Sequence, residues 1–405
     1  MRKLLLLCVL AALSVGLPAN SIFSIEGMPE RYYSYDVYGI GAGDTGWADL
    51  FRLNLGHGNP ALAVTSNTVN FSAAATFGYM TYEDRDGNSF RDDGITFPYA
   101  SFTIPMRALR FGLHFSTISA GNVTNERLRN FDLDDETTVE VNEENRIQSS
   151  IYRTDFLVAL KNRFCHVGVA VNGYIGQRVH NVKQDFTDAG YMDTQYEVAC
   201  FYQGLGVTVG LARRFGDVAA SLSWASGANL DGDEEFTSIF NTEKLGAAEY
   251  ELPMHLGFGL AWRMQETLKA TFDLHYEMWE DTTTYTDGVN TWKVGLGLSY
   301  DPLWGYGSWY ERIPLRLGVG HRLLPFKAND SEVKETLLSL GISAPLRNPG
   351  DQIQFSVQYI MRGDKQNNGV EDNCLLFSIG ATGFDIFKVR TKRTAPREIP
   401  KPDGY

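Results

Sequence analysis

Apolar residues fall on every second position along much of this chain. In 255–279, Leu256, Phe258, Leu260 and Trp262 alternate with Gly257, Gly259 and Ala261. After a five-residue break, Leu268, Ala270, Phe272, Leu274, Tyr276 and Met278 alternate with Lys269, Thr271, Asp273, His275 and Glu277. A period of two is the mark of a β-strand, whose successive side chains point to opposite faces. The pattern recurs with Leu205, Val207, Val209 and Leu211 opposing Gly204, Gly206, Thr208 and Gly210. It appears again with Leu315, Leu317 and Val319 opposing Arg316, Gly318, Gly320 and Arg322, and with Ile353, Phe355, Val357 and Tyr359 opposing Gln352, Gln354, Ser356 and Gln358.

Read along its length, the sequence predicts fourteen strands: 67–83, 95–105, 108–119, 148–160, 164–181, 195–213, 217–226, 252–263, 267–280, 290–301, 311–322, 333–345, 351–362 and 373–388. The gaps between them alternate in length. Short breaks such as 105–107, 161–163, 213–217 and 263–267 are separated by longer polar stretches, notably 120–147 and 227–250, expected to be loops. Short turns at one end and long loops at the other are what an antiparallel transmembrane barrel shows. A propeller would carry a recurring motif of about forty residues, and none is visible.

The fold class expected is therefore all-β: a transmembrane antiparallel β-barrel of about fourteen strands. Its greasy rows would meet hydrocarbon and its polar rows the lumen, so that Asp273, His275, Glu277, Arg316 and Gln354 are expected to line the interior. Inner positions rich in glycine leave room inside a barrel. Aromatic residues gather at strand ends, Trp262 and Tyr300 at one and Tyr79, Trp224, Tyr276 and Trp279 at the other, as the two interfacial girdles require. An open sheet edge finds no hydrogen-bond partner in hydrocarbon, so the first and last strands must pair.

Beyond the N-terminus no stretch is long and apolar enough for a membrane helix. Residues 1–21 begin with Arg2 and Lys3, continue in an apolar run and end in small residues, which reads as a secretory signal peptide. The formal charge of −13, which becomes −15 once Arg2 and Lys3 are removed, argues against a nucleic-acid partner. Cys165, Cys200 and Cys374, odd in number and widely spaced, form no disulfide framework. The acidic stretches 132–136 and 231–235 read as solvated.

Three motifs invite chemistry and are set aside. "GAGDTG" (41–46) has the glycine spacing of a dinucleotide loop but no acid about twenty residues on, and reads as a flexible turn. "DRDGN" (84–88) places its glycine too early for a calcium loop and reads as a β-turn. Asp273, His275 and Glu277 share a face, yet no serine elbow or metal-ligand histidine spacing accompanies them. No enzyme, metal or cofactor is expected.

The segment "YGIGAGDTGWADLFRLNLGHGNPALA" (38–63), glycine-rich and running into Asn59-Pro60-Ala61, resembles the N-terminal hatch of FadL-type outer-membrane transporters of long-chain fatty acids and other hydrophobic compounds. "YELPMHLGFGLAWRMQETLKATFDLHYEMW" (250–279) is similar to that family's proline before an alternating strand, a tight turn, then a strand with an Asp and a terminal Trp, here Pro253, Asp273 and Trp279. The resemblance implies a hatch over 22–64, a barrel over 65–388 and a basic periplasmic tail over 389–405. It implies passive transport of a hydrophobic ligand past the hatch and out through a lateral gap, with Gly39, Gly41, Gly43, Asn59 and Pro60 in the functional region. The expected location is the outer membrane of a diderm bacterium. The expected partners are outer-membrane lipid, a hydrophobic small molecule and, during insertion, the barrel-assembly machinery. Members of the same superfamily also act as PorV-type secretion shuttles, so a partner-binding barrel is the alternative.

Overall fold

The computed structural model describes residues 21, 23, 30–31, 33, 35–132, 138–187, 190–285, 287–302, 309–346 and 351–384. The expected signal peptide, its last residue apart, and the basic tail lie outside the described residues.

Fourteen antiparallel strands run in chain order around a closed sheet. They are β1 (Asn70–Asp84), β2 (Ser89–Met106), β3 (Leu109–Asp132), β4 (Thr138–Leu160), β5 (His166–Phe186) and β6 (Thr194–Phe215). Next come β7 (Val218–Ala225 and Ala228–Ser238) and β8 (Thr242–Leu252 and His255–Arg263), each interrupted once. The circuit continues with β9 (Leu268–Glu277), β10 (Thr291–Tyr300), β11 (Leu315–Ala328), β12 (Ser331–Pro345), β13 (Gln352–Gly363) and β14 (Val370–Phe384). β14 pairs with β1 from Val370 against Asp84 to Phe384 against Phe71, so the first and last strands close the sheet. Pairing the two terminal strands removes the open edges that a hydrocarbon environment would leave without hydrogen-bond partners.

The two faces are sorted as the alternation requires. Leu274, Tyr276, Leu296, Leu317, Leu340 and Phe355 are exposed on the outside, whereas Lys269, Asp273, His275, Glu277, Arg316 and Gln354 are buried on the lumen side. An uninterrupted apolar outer wall of this extent is stable only against lipid. Trp262, Tyr300, Tyr79, Trp224 and Tyr276 stand outward at the two levels expected of the girdles. Trp279 does not. It lies beyond the end of β9, turns inward, and its Nε1 donates to Glu277 Oε2 at 2.8 Å.

The stretches expected to be long loops are strands. β3 and β4 stay paired from Leu109–Leu160 out to Asp132–Thr138, and β7 and β8 pair as far as Thr237–Thr242. β3, at 24 residues, extends roughly 80 Å along its own axis, far more than the roughly 25 Å apolar band it crosses. Residues 124–130 are exposed without alternation, because beyond the membrane both faces of the hairpin meet water. A period of two needs one dry face, so this part gave no strand signal.

Two irregularities shape the wall. In β7 and β8 the chain breaks at 226–227 and 253–254, side by side, and the inward parity changes there: Ser223 and His255 face in below, Ala228 and Leu252 above. One extra residue in a strand exchanges its faces. Between β2 and β3, pairing runs from Met106–Leu109 only to Tyr99–Ser116. Pro98, which has no N–H to donate, lies in a bulge, and Thr117 Oγ1 donates to Phe97 O at 2.8 Å where the strands part. Beyond that point Glu30–Arg31 lies against Ser119 and Ala120.

Candidate functional site

Residues 35–66 pass through the lumen, and the wall is shaped to hold them. Asp273 on β9 is flanked in register by Gly259 on β8 and Gly295 on β10. Both glycines lie against this inner segment: a Cβ on Gly259 would fall 2.8 Å from Ala48 N, and one on Gly295 2.7 Å from Thr45 Cγ2. Asp273 between them takes the Trp47 N–H at 2.9 Å and the Tyr35 hydroxyl at 3.0 Å. The same device recurs at Gly318, where a Cβ would enter the backbone of Ala42 and Gly43, and at Gly168, where it would enter Pro60 and Ala61. The glycines expected to leave space inside the barrel leave it for backbone.

Local sequence fixes the segment's own shape. Asp36 caps the four-residue helix α1 (Val37–Ile40), its Oδ1 accepting from Gly39 N at 2.9 Å. Gly43 has φ +78°, a left-handed conformation open to glycine, and its N–H donates to Ser339 Oγ at 2.6 Å. Asn59 caps a 3₁₀ turn (Pro60–Thr65) and accepts from Ala61 N at 3.1 Å, with Pro60 at the first position, where no N–H is needed. Gly41 lies against Gly341 of β12. All five residues proposed from the sequence for the functional region are thus buried, Gly41, Gly43, Asn59 and Pro60 against the wall and Gly39 against Tyr35, Asp36 and Thr45 of the segment itself. "GAGDTG" is a turn preceded by a helix, without the strand a dinucleotide site requires. "DRDGN" is a turn in which Asp84 Oδ1 accepts from Asp86 N and Asn88 N.

Charge joins the segment to the wall. The segment supplies acids, Asp44 and Asp49; three adjacent wall strands supply cations, Lys269 on β9, Lys293 on β10 and Arg316 on β11. Lys269 Nζ lies 2.6 Å from Asp49 Oδ2, and Lys293 Nζ 3.3 Å from Asp44 Oδ2. Arg52 bridges Asp36 and Asp49 within the segment. Arg316 lies over the Tyr38 ring at 4.4 Å and donates to Ser343 Oγ at 2.6 Å. Burial holds the Tyr38 phenol up at about 12, so its ring stays neutral among these charges.

Around Trp47 the wall forms an aromatic and imidazole socket. Trp47 Nε1 donates to Ser223 Oγ at 2.6 Å, and its ring meets His275 edge-on at 4.6 Å. His275 Nε2 is 2.6 Å from the Tyr35 hydroxyl, and its Nδ1 is 3.0 Å from His255 Nε2. Of the lumen residues proposed from sequence, Asp273, His275 and Arg316 meet the segment. Gln354 instead accepts from Thr382 Oγ1 at 3.4 Å, and Glu277 accepts from Trp279 and Thr291. Sequence reasoning did not single out Trp47, Asp49, Arg52 and Lys293, whose contacts hold the segment in place. The available signal was the placement of a Lys on each of two successive lumen rows, which calls for buried acids opposite.

Two spaces remain. A cavity of about 780 Å³, its open part included, lies directly behind the parting of β2 and β3 and is lined by Tyr33, Tyr35, Ile40, Pro98, Ile360 and Leu376 among others. A second, of about 580 Å³ on the same measure, lies toward the hairpin end against Phe23, Tyr33, Leu252, Trp279, Leu323 and Phe326.

Solved structures share this architecture. A Pseudomonas aeruginosa FadL homologue superposes with a TM-score of 0.58 at 11% identity, covering 88% of this chain and 100% of that one. The Ralstonia pickettii toluene transporter TbuX gives 0.59 at 14% identity over 86% and 98%. The monoaromatic hydrocarbon channel CymD gives 0.55 at 16% identity over 85% and 97%. At these identities the likeness is one of fold, and the FadL-type barrel expected from the sequence is borne out. No curated protein matches the sequence. A family model described as BamG matches residues 44–385, from the turn of the inner segment to the last barrel strand, and the chain belongs to the BamG family.

Proposed function

We propose that this protein conducts hydrophobic small molecules, long-chain fatty acids or compounds of similar shape, passively across the outer membrane of a diderm bacterium. The observation that carries the reading is the parting of β2 and β3 above Tyr99–Ser116, with a cavity lined by Tyr33, Ile40, Pro98, Ile360 and Leu376 immediately behind it. The strands begin to separate within the wall, since Tyr99 pairs with Ala74, five residues short of the girdle residue Tyr79 on β1. A lipid-soluble molecule can pass between wall and cavity there without crossing a polar loop. Each buried CH₂ contributes about 0.8 kcal/mol toward holding it. Residues 22–64 act as the hatch, and a ligand reaches the periplasm when that segment shifts.

The test is uptake of labelled oleate and toluene into liposomes holding the purified protein. Both should enter faster than into empty vesicles, and Gly78→Trp, which puts bulk into the cavity behind the parting, should abolish the difference. Uptake no faster than the lipid background would sink the reading.

A partner-binding barrel, such as a secretion shuttle, is the second reading. It is favoured by the tip of the β7–β8 hairpin, where Ile239, Phe240 and Leu245 are more than half exposed beyond the membrane band. Mild extraction of the native membrane and capture of the protein would return a stoichiometric partner on this reading and none on the first.

A further inference from the structure

At the short-turn end the inner segment leaves an open cleft of about 1140 Å³, mouth included. Its floor is apolar: Leu50, Phe51 and Leu53 are half-buried there. Its charged and titratable lining is all basic. Arg52, Lys161, His166 and Arg214 face it, and among the described residues no carboxylate does, in a chain whose formal charge is −13. Arg52 is already matched by Asp36 and Asp49. Lys161, just past the end of β4, and Arg214, next to the last residue of β6, are exposed at the rim, and the Arg214 guanidinium lies 4.6 Å over the Phe51 ring. The Arg214 Nε donates to Gly216 O at 2.8 Å, and a guanidinium stacked on a ring can still offer its terminal N–H groups to an oxyanion.

We propose that this cleft is a binding site for an anionic amphiphile, its carboxylate held between Lys161 and Arg214 and its alkyl chain laid on Leu50, Phe51 and Leu53. A neutral hydrocarbon would gain nothing from the two cations, and a small hydrophilic anion nothing from the floor. Only a molecule with one charged end and one apolar end uses both. As the place where a transported molecule leaves the hatch, the cleft rests on the transport reading; as a binding site it stands on its own lining.

The experiment uses the full chain in nanodiscs and a dodecanoate carrying a diazirine, with the corresponding dodecanol as the neutral probe. After illumination, dodecanoate should mark peptides holding residues 50–53 or 161–166, and excess plain dodecanoate should suppress the mark. Lys161→Ala with Arg214→Ala should weaken dodecanoate binding on the order of tenfold, about threefold to fivefold per exposed cation, and leave dodecanol unchanged. Phe51→Ser should weaken both probes. Marking confined to the cavity of Tyr35, Ile40 and Leu376 overturns the site while leaving transport intact. Marking at the cleft without liposome uptake upholds the site and removes the transport reading. If polyglutamate binds through Lys161 and Arg214 while dodecanoate does not, the face docks an acidic polypeptide and the proposal is wrong.

Discussion

Lys269 Nζ, on the barrel wall, sits 2.6 Å from Asp49 Oδ2, on the segment inside it, and neither side chain reaches solvent. A buried pair of this kind adds little net stability, since desolvation offsets the attraction, but removing one partner strands the other. Lys269→Met leaves Asp49 with Arg52 as its remaining cation, while Asp49→Leu leaves Lys269 beside Asp301 at 3.4 Å. Each single change should destabilise by about 3–5 kcal/mol, and the double change should recover most of that loss. The midpoint of heat-induced unfolding, followed by the gel shift of the barrel, measures all three. Additive losses would show that the two charges act separately.

Glycine on the wall makes a different claim. Gly318 admits the backbone of Ala42 and Gly43, so a Cβ there leaves no place for the segment, whereas Gly216, in a turn at φ +62°, has nothing near the added atom. Gly318→Val should displace the inner segment while the strands around it keep their pairing. Steady ion conductance in planar bilayers should rise severalfold. Gly216→Ala should cost about 1 kcal/mol through its backbone angle and leave conductance at the parental level. A Gly318→Val barrel as closed as the parent would mean that the segment does not block the lumen.

Acid should loosen the same segment. Burial holds the His57 imidazole at about 4, with Arg153 and Arg52 adding to the effect and Asp36 opposing it. Its ring centre lies 5.0 Å from His114 and 4.3 Å from Tyr99, and its carbonyl accepts from Arg153. The folded value lies below the unfolded value near 6.5, so the unfolded form binds more protons in that interval. Stability is therefore whole above about pH 6.5 and falls by as much as about 3 kcal/mol toward pH 4. Burial would raise Asp36 and Asp49, but Arg52 for the first, and Lys269 with Arg52 for the second, hold both carboxyls low. Their contribution is lost only in stronger acid. Hydrogen exchange across 53–66, corrected for intrinsic rate, should speed up between pH 7 and pH 4.5, and His57→Gln should remove most of that change. Equal acceleration in the variant would point away from His57.

The barrel was legible because lipid on one side and a filled lumen on the other impose a two-residue period on Leu268–Tyr276 and Ile353–Tyr359. Where that contrast ends, so does the signal: residues 124–130 stay paired in β3 but are wet on both faces, and they read as a loop. The parity change at Ser226 and Pro253 broke the pattern in the same way, by exchanging faces inside one strand. In the inner segment the individual glycines and Asn59-Pro60 stood out, but their partners did not. No local rule says that Asp49 will find Lys269, 220 positions away, or that Trp47 will find Ser223, 176 away. Trp279 was placed in a girdle because it follows an alternating strand, and the strand stops two residues short of it.

The membrane itself is open to test at Leu296. This side chain is 52% exposed in β10, halfway between Trp292 and Tyr300, which stand outward toward the two interfaces. Leu128 is 63% exposed but lies on the tall β3–β4 hairpin, beyond the apolar band. By exposure alone the two leucines are alike, and a water-soluble barrel would tolerate a charge at either. In lipid they differ. Arginine at the midplane costs about 2–4 kcal/mol, falling to about 0–1 near the interfaces, and an exposed change in water costs less than about 0.5. Refolding into phospholipid vesicles from urea, with the folded fraction read as the compact gel band, should be strongly reduced for Leu296→Arg and normal for Leu128→Arg. Equal yields from the two variants would place Leu296 in water, and the outer wall would then need another explanation for its unbroken apolar rows.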